Sequence, residues 1–167
     1  NILTLLRAYK HLLCERLLTH KLILTCRGAG TELDEFVTSN NLGADVLFLP
    51  RLSEPELAAC YKLADLAVNP SLFEGGMPFT FAEALSVGTP VVMSDIEVTS
   101  EVLTEPRIRE LTFFDPYSWK SMADKIEWAL NNRESLLKEQ REYYVTNIAV
   151  RTWDDVVSDH IAVLDRL

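Results

Sequence analysis

Two glutamates, Glu74 and Glu83, enclose the eight residues Gly75-Gly76-Met77-Pro78-Phe79-Thr80-Phe81-Ala82. A carboxylate accepts two hydroxyl donors at once, which is how proteins usually grip the vicinal diols of a ribose or a hexose. Gly75 and Gly76 lack a Cβ, so their amides can approach a bound anion closely. Pro78 suits the start of a helix, whose first unpaired N–H groups would point outward and could hold a phosphate with little help from basic side chains. Glu74 precedes those amides and Glu83 lies about one turn inside the helix, so the pair could address two ends of one ligand. Thr80-Phe81-Ala82-Glu83 is also a capping box, in which Glu83 would only serve the Thr80 N–H. Spacing leaves both roles open.

The elements around this stretch must bring it to a ligand. Ile2, Leu5, Leu6, Tyr9, Leu13 and Leu17 recur at helical spacing and predict an amphipathic helix over 2–18. Residues 22–26 read as a strand, 27–30 (Arg-Gly-Ala-Gly) as a break, and Thr31 to Asp34 as a variant capping box opening a second helix that Gly43 ends. A strand over 46–50 follows, then a Ser-Glu-Pro-Glu capping box at 53–56 leading into a helix, then a third strand over 66–70. Residues 79–87 are expected to form a short helix stopped by Gly88, with a strand over 90–94 behind it. A fifth strand is expected over 110–116, a helix over 118–132 with Trp119, Met122, Ala123, Ile126 and Leu130 on one face, and helical stretches over 134–145 and 153–167.

Apolar strands alternating with helices indicate a parallel sheet covered on both faces. The fold class expected is therefore α/β, a Rossmann-like doubly wound parallel sheet, in which ligands lie beyond the carboxyl ends of the strands at a topological switch point. The Glu74 to Glu83 segment begins where the third strand ends, at that edge. There is no internal repeat, and a boundary is expected only near 150–153, before the last helix.

With 48% hydrophobic and 25% charged residues the chain has the composition of a folded domain. The formal charge of −9 argues against broad contact with a nucleic-acid backbone, which demands clustered Lys and Arg. Cys14, Cys26 and Cys60 are odd in number and widely spaced, which suits buried thiols in a reducing compartment. His11, His20 and His160 lack paired-ligand spacing, so packing or surface roles are expected, with no metal site. No apolar run reaches the roughly 20 residues of a spanning helix. The chain opens in helical rhythm without an initiator Met, as expected of a piece of something longer.

The segment from Asn69 to Ile96, followed by Glu101-Val102-Leu103 and by residues 111–126, resembles the C-terminal half of a GT-B glycosyltransferase of the family-4 group, retaining enzymes that use nucleotide-sugar donors. Residues 48–65 and 63–71 and the closing stretch 151–164 add weaker support. The resemblance implies that Glu74, taken as the catalytic-site carboxylate, lies with the amides of Gly75, Gly76, Met77, Pro78 and Phe79 around the donor sugar and diphosphate. It implies that Glu83 binds the ribose hydroxyls. The loop carrying Arg51 and Leu52 would border the base, and the loop carrying Arg27 and Gly28 would line the cleft toward an N-terminal Rossmann-like domain. The family usually has seven residues between its paired glutamates and this chain has eight, which makes Glu83 the safer transfer.

The same resemblance implies residues 1–152 as the donor-binding domain with its first strand missing, and 153–167 as a helix packing toward the N-terminal domain. An Arg and a Lys of the family that contact the diphosphate fall before residue 2, as do the acceptor site and its acid/base groups. The implied reaction transfers a hexose from a nucleoside diphosphate to a saccharide or lipid-linked acceptor, with no cofactor. It is set in the cytoplasm, with any contact with the inner membrane face left to the parent enzyme. A noncatalytic nucleotide-binding or scaffolding module on the same fold is the alternative. A dinucleotide-binding dehydrogenase is disfavoured, because Leu33 stands where the last Gly of Gly-x-Gly-x-x-Gly belongs. A phospho-acceptor domain is disfavoured by the lack of clustered aspartates after the first strand.

Overall fold

The computed structural model describes residues 1–150 and 152–166, and in it all the strands pair in parallel. In chain order the elements are α1 (Ile2–Glu15), β1 (Leu22–Leu24), α2 (Glu32–Ser39), β2 (Val46–Phe48), α3 (Glu54–Leu63), β3 (Ala67–Asn69) and α4 (Phe79–Ser86). There follow β4 (Val91–Ser94), α5 (Glu97–Val102), α6 (Pro106–Thr112), β5 (Phe113–Phe114), α7 (Trp119–Asn131), α8 (Arg133–Tyr143), a π-helical turn over Tyr144–Ile148, and α9 (Trp153–Leu164).

The strands form two pieces, β1-β2 and β3-β4-β5. All four residues of β4 are buried, and their alternation sorts them into two cores. Val92 joins Leu5, Leu6 and Leu12 of α1 and Met122 and Ala123 of α7 on one face. Val91 and Met93 join Phe81 and Leu85 of α4 and Ile108 of α6 on the other. This is the α/β architecture with both faces covered that near-continuous apolar strands demand. Gln140 on α8 is fully buried against the second core, where its amide accepts from Val91 N and donates to Val91 O and Thr112 Oγ1.

Between the two pieces runs an apolar slot of about 510 Å³, walled by β1 and β3 and floored by Ile2, Leu5 and Ile126. Successive backbone groups of a strand point to opposite sides. Leu22 donates to Asp45 O and Leu24 accepts from Leu49 N, so the N–H and C=O of Ile23 face the slot. Ala67 donates to Pro90 O toward β4, and by the same alternation the groups of Val68 face it from the other wall. The slot is therefore bounded by two sheet edges with open hydrogen-bonding positions.

Several local expectations are corrected. The first helix stops at Glu15, because Leu17 is left-handed (φ 55°) and 81% exposed, while Leu12 takes the core position. The second helix ends at Ser39 with left-handed Asn41 (φ 56°) turning the chain before Gly43 is reached. Thr31 is its N-cap residue but caps nothing: the Asp34 carboxylate reaches the Gly30 amide instead. The Ser53–Glu56 capping box forms as expected, and Gly88 (φ 90°) ends α4. The expected strand over 110–116 shrinks to Phe113–Phe114, since Pro106 starts a helix that buries Ile108, Leu111 and Thr112. The three thiols are free and none is buried: Cys14 is exposed, Cys26 and Cys60 half-buried. α9 is capped by Thr152 and Asp155 and buries none of its residues. Arg151, in the expected boundary, and Leu167, at the expected end of the last helix, lie outside the described residues.

Candidate functional site

The loops after β1, β2 and β3 carry the candidate residues, each at the carboxyl end of its strand. The third is the most elaborated. Asn69 closes β3, 8% exposed, with its Oδ1 accepting from Ser71 N and its Nδ2 donating to Thr80 Oγ1 at 3.3 Å. The loop is thereby fastened at both ends, to the strand it leaves and to the helix it enters.

Gly75 and Gly76 are exposed, and a Cβ added to either would meet nothing within 4 Å. Neither takes a positive φ, so their service here is access to the backbone. α4 has Pro78 as its N-cap residue and no side chain capping it, which leaves its first amides without a side-chain partner. Pro78 is buried and Met77 packs on the second core, so the turn is anchored from below while Phe73 and Phe79 stand out, 85% and 80% exposed. A positive helix end ringed by aromatic faces suits an anion carrying a ring.

The two glutamates separate. Glu74 is half-buried and lines a hollow of about 290 Å³ with Phe73, with Ile96 at the N-cap of α5, and with Glu97 and Glu101 of α5 itself. Glu83 is exposed, and its Oε2 accepts from the Tyr61 hydroxyl at 3.2 Å. It does not bond the Thr80 amide, so the capping-box role left open by the spacing is not the one adopted. Burial pushes the Tyr61 phenol above its ordinary pKa, the Thr80 hydroxyl beside it pulls the other way, and the Glu83 charge adds to the rise. The phenol therefore stays protonated and donates.

Arg27 and Arg51 are exposed, and among the described residues neither forms an ion pair. Arg51 holds a left-handed backbone (φ 55°) and Leu52 is half-buried beside it. Gly28 is buried, and a Cβ there would run into the Phe48 ring, so close approach to β2 fixes that glycine. Among the described residues no hydrogen bond joins these two loops to the Gly75–Glu83 segment. The structure thus brings together Asn69, Thr80, Tyr61 and Glu83. Sequence reasoning missed Tyr61, Asn69, Glu97 and Glu101.

Residues 1–149 match the family described as Glycosyl transferases group 1. The chain is 36% identical over 112 residues, 65% of its own length and 31% of the relative's, to the O-antigen chain mannosyltransferase RfbU of Salmonella typhimurium. Among solved structures, a glycosyltransferase from Rickettsia africae superposes with a TM-score of 0.75 at 12% identity, covering 96% of this chain and 42% of that one. Anabaena HepE in complex with UDP-glucose superposes with a TM-score of 0.68 at 20% identity, covering 98% and 44%. The chain therefore spans well under half the length of these relatives. At such identities the two structures speak for the fold.

Proposed function

The chain belongs to the group 1 glycosyl transferases, and from that membership we propose that it is the donor-binding half of a retaining enzyme that moves a hexose from a nucleoside diphosphate to a saccharide or lipid-linked acceptor. The observation that carries this reading is the Gly75-Gly76-Met77-Pro78 turn, exposed at a strand's carboxyl end and opening a helix whose N-terminus no side chain caps. HepE, described with UDP-glucose bound, supports a nucleotide sugar as the donor class.

In this reading the N–H groups of Gly75, Gly76, Met77 and Phe79, with Pro78 setting the turn, hold the diphosphate and take up the charge that builds on it as the glycosidic bond to the departing nucleotide breaks. Such donors are already aimed when the reaction begins, so they favour the transition state without reorganising. Glu74, Glu97 and Glu101 surround the hollow offered to the hexose, where carboxylates accept from its hydroxyls and fix its orientation. Glu83, one turn along α4, takes the ribose. Arg51 and Leu52 border the base, and Arg27 and Gly28 face the cleft toward the second domain.

The same reading gives the slot and the last helix their partners. A strand supplied by the remainder of the enzyme enters between β1 and β3, pairs with Ile23 and Val68, and joins the two pieces into one sheet. The order of strands then reverses beside the added strand, next to β3, where the Gly75 turn begins. Trp153, Val157, Ile161 and Leu164, exposed along α9 at helical spacing, pack against the other domain. Among the described residues no helix is long and apolar enough to cross a membrane.

Calorimetric titration of full-length protein with UDP, GDP and their hexose conjugates tests the donor site. At least one diphosphate binds at one site per chain, and Glu83→Ala weakens it about 10- to 100-fold, the worth of charge-assisted hydrogen bonds lost, with unfolding temperature unchanged. Absence of binding by every nucleotide, or equal affinity in the variant, counts against the assignment.

A further inference from the structure

Tyr61 lies on α3, outside the loop and helix that carry the ligand groups, yet its hydroxyl donates to Glu83 Oε2 at 3.2 Å. We infer that Tyr61 is a positioning residue for Glu83, holding one carboxylate oxygen so that the other is turned toward the ribose hydroxyls of a bound nucleoside diphosphate. This rests on the reading of Glu83 given above and extends it to a residue on a different element.

The physical case begins with freedom. Glu83 is exposed on α4, and a glutamate side chain immobilised by a ligand gives up its rotamer entropy. A side chain already tethered at one oxygen has lost much of that freedom before the ligand arrives, so binding is tighter for the same contacts. The tether must itself be rigid, and Tyr61 is. Its backbone carbonyl accepts from Thr89 Oγ1 at 2.6 Å, Thr89 being 1% exposed, and its ring packs on the second core. Beside the phenol stands Thr80, whose hydroxyl accepts from buried Asn69 at the end of β3. Asn69, Thr80, Tyr61 and Glu83 thus stand in sequence from the strand end at which the diphosphate loop departs, with hydrogen bonds at the first and last links. The phenol donates its one proton, and Glu83 offers the acceptor. One oxygen so occupied leaves the second with its lone pairs for two adjacent hydroxyls.

A tie between α3 and α4 that served only packing would affect all ligands alike, which sets the test. Full-length wild type, Tyr61→Phe, Glu83→Ala and the double variant are titrated with a nucleoside diphosphate and with its 2′-deoxy counterpart. Tyr61→Phe keeps the ring and weakens the ribonucleotide about three- to tenfold, the range of one hydrogen bond's net worth, while the deoxynucleotide loses less than half of that factor. In the Glu83→Ala background, Tyr61→Phe changes affinity no further, the non-additivity of residues acting through one another. If Tyr61→Phe costs the same factor on both nucleotides, or its full effect adds to that of Glu83→Ala, the positioning role is overturned and Glu83 keeps its own. If Glu83→Ala leaves ribonucleotide affinity unchanged, the reading of Glu83 fails first and this inference falls with it.

Discussion

Assayed alone against nucleoside-diphosphate hexoses, the 167-residue chain is expected to transfer no sugar above a blank, and the longer enzyme proposed above is expected to transfer it. The reason is geometric. Phe73 and Phe79 stand 85% and 80% exposed and Glu83 is exposed, so the candidate site is open to solvent, as the proposed single wall of a cleft would be. The chain covers 31% of the mannosyltransferase and 42–44% of the two solved enzymes to which it is similar. Holding two reactants together and excluding water accounts for about 7–11 kcal/mol of an enzymatic barrier, and an open half-site forgoes nearly all of it. The expected deficit is thus above about 10⁵-fold. Radiolabelled donor and product chromatography would read it; turnover by the 167 residues within about 100-fold of full-length protein would refute the two-wall account.

The second large effect concerns the slot. In full-length protein the amides of Ile23 and Val68 exchange with solvent deuterium about 100- to 1,000-fold more slowly than in the 167-residue chain, the gain from a shift of about 3–4 kcal/mol in local opening. Two sheet edges bordering about 510 Å³ of apolar space are costly to leave unpaired, because the N–H and C=O of each strand residue demand partners. An added strand satisfies both edges at once and covers the half-buried Ile2 and Leu130 that line the slot. The amides of Leu22 and Ala67, already bonded to Asp45 O and Pro90 O, serve as internal standards. Equal exchange of Ile23 and Val68 in the two forms would mean that no strand enters.

Much of the framework was legible in residue order, and what was not shares a cause. β3, β4 and α4 announce themselves through a short apolar run, a β-branched run and a Pro-to-Gly interval, all of them local. α5 and α6, of six and seven residues, complete fewer than two turns, too few to display a period. Glu110-Leu111-Thr112 read as the start of a strand because short apolar runs do not distinguish strand from buried helix. The Ser53 capping box formed while that of Thr31 did not, since the shorter Asp34 side chain found the Gly30 amide. The break between β1 and β3 depends on non-local pairing that no window of sequence displays. The Tyr61–Glu83 hydrogen bond spans 22 positions between two helices, and an aromatic residue in the last turn of α3 carries no mark of it. Family resemblance supplied roles for Glu74, Glu83 and the Gly75 turn. The structure adds that the two glutamates look into different surroundings, one toward α5 and the other toward α3.

The donor site proposed here rests on the backbone N–H groups of Gly75, Gly76, Met77 and Phe79 holding a nucleotide's diphosphate. A crystal structure of full-length protein with a nucleoside diphosphate measures this directly. Phosphate oxygens are expected about 3 Å from at least two of those amide nitrogens, with the ribose against Glu83. A diphosphate bound elsewhere, or a nucleotide whose phosphates touch none of these amides, would contradict it.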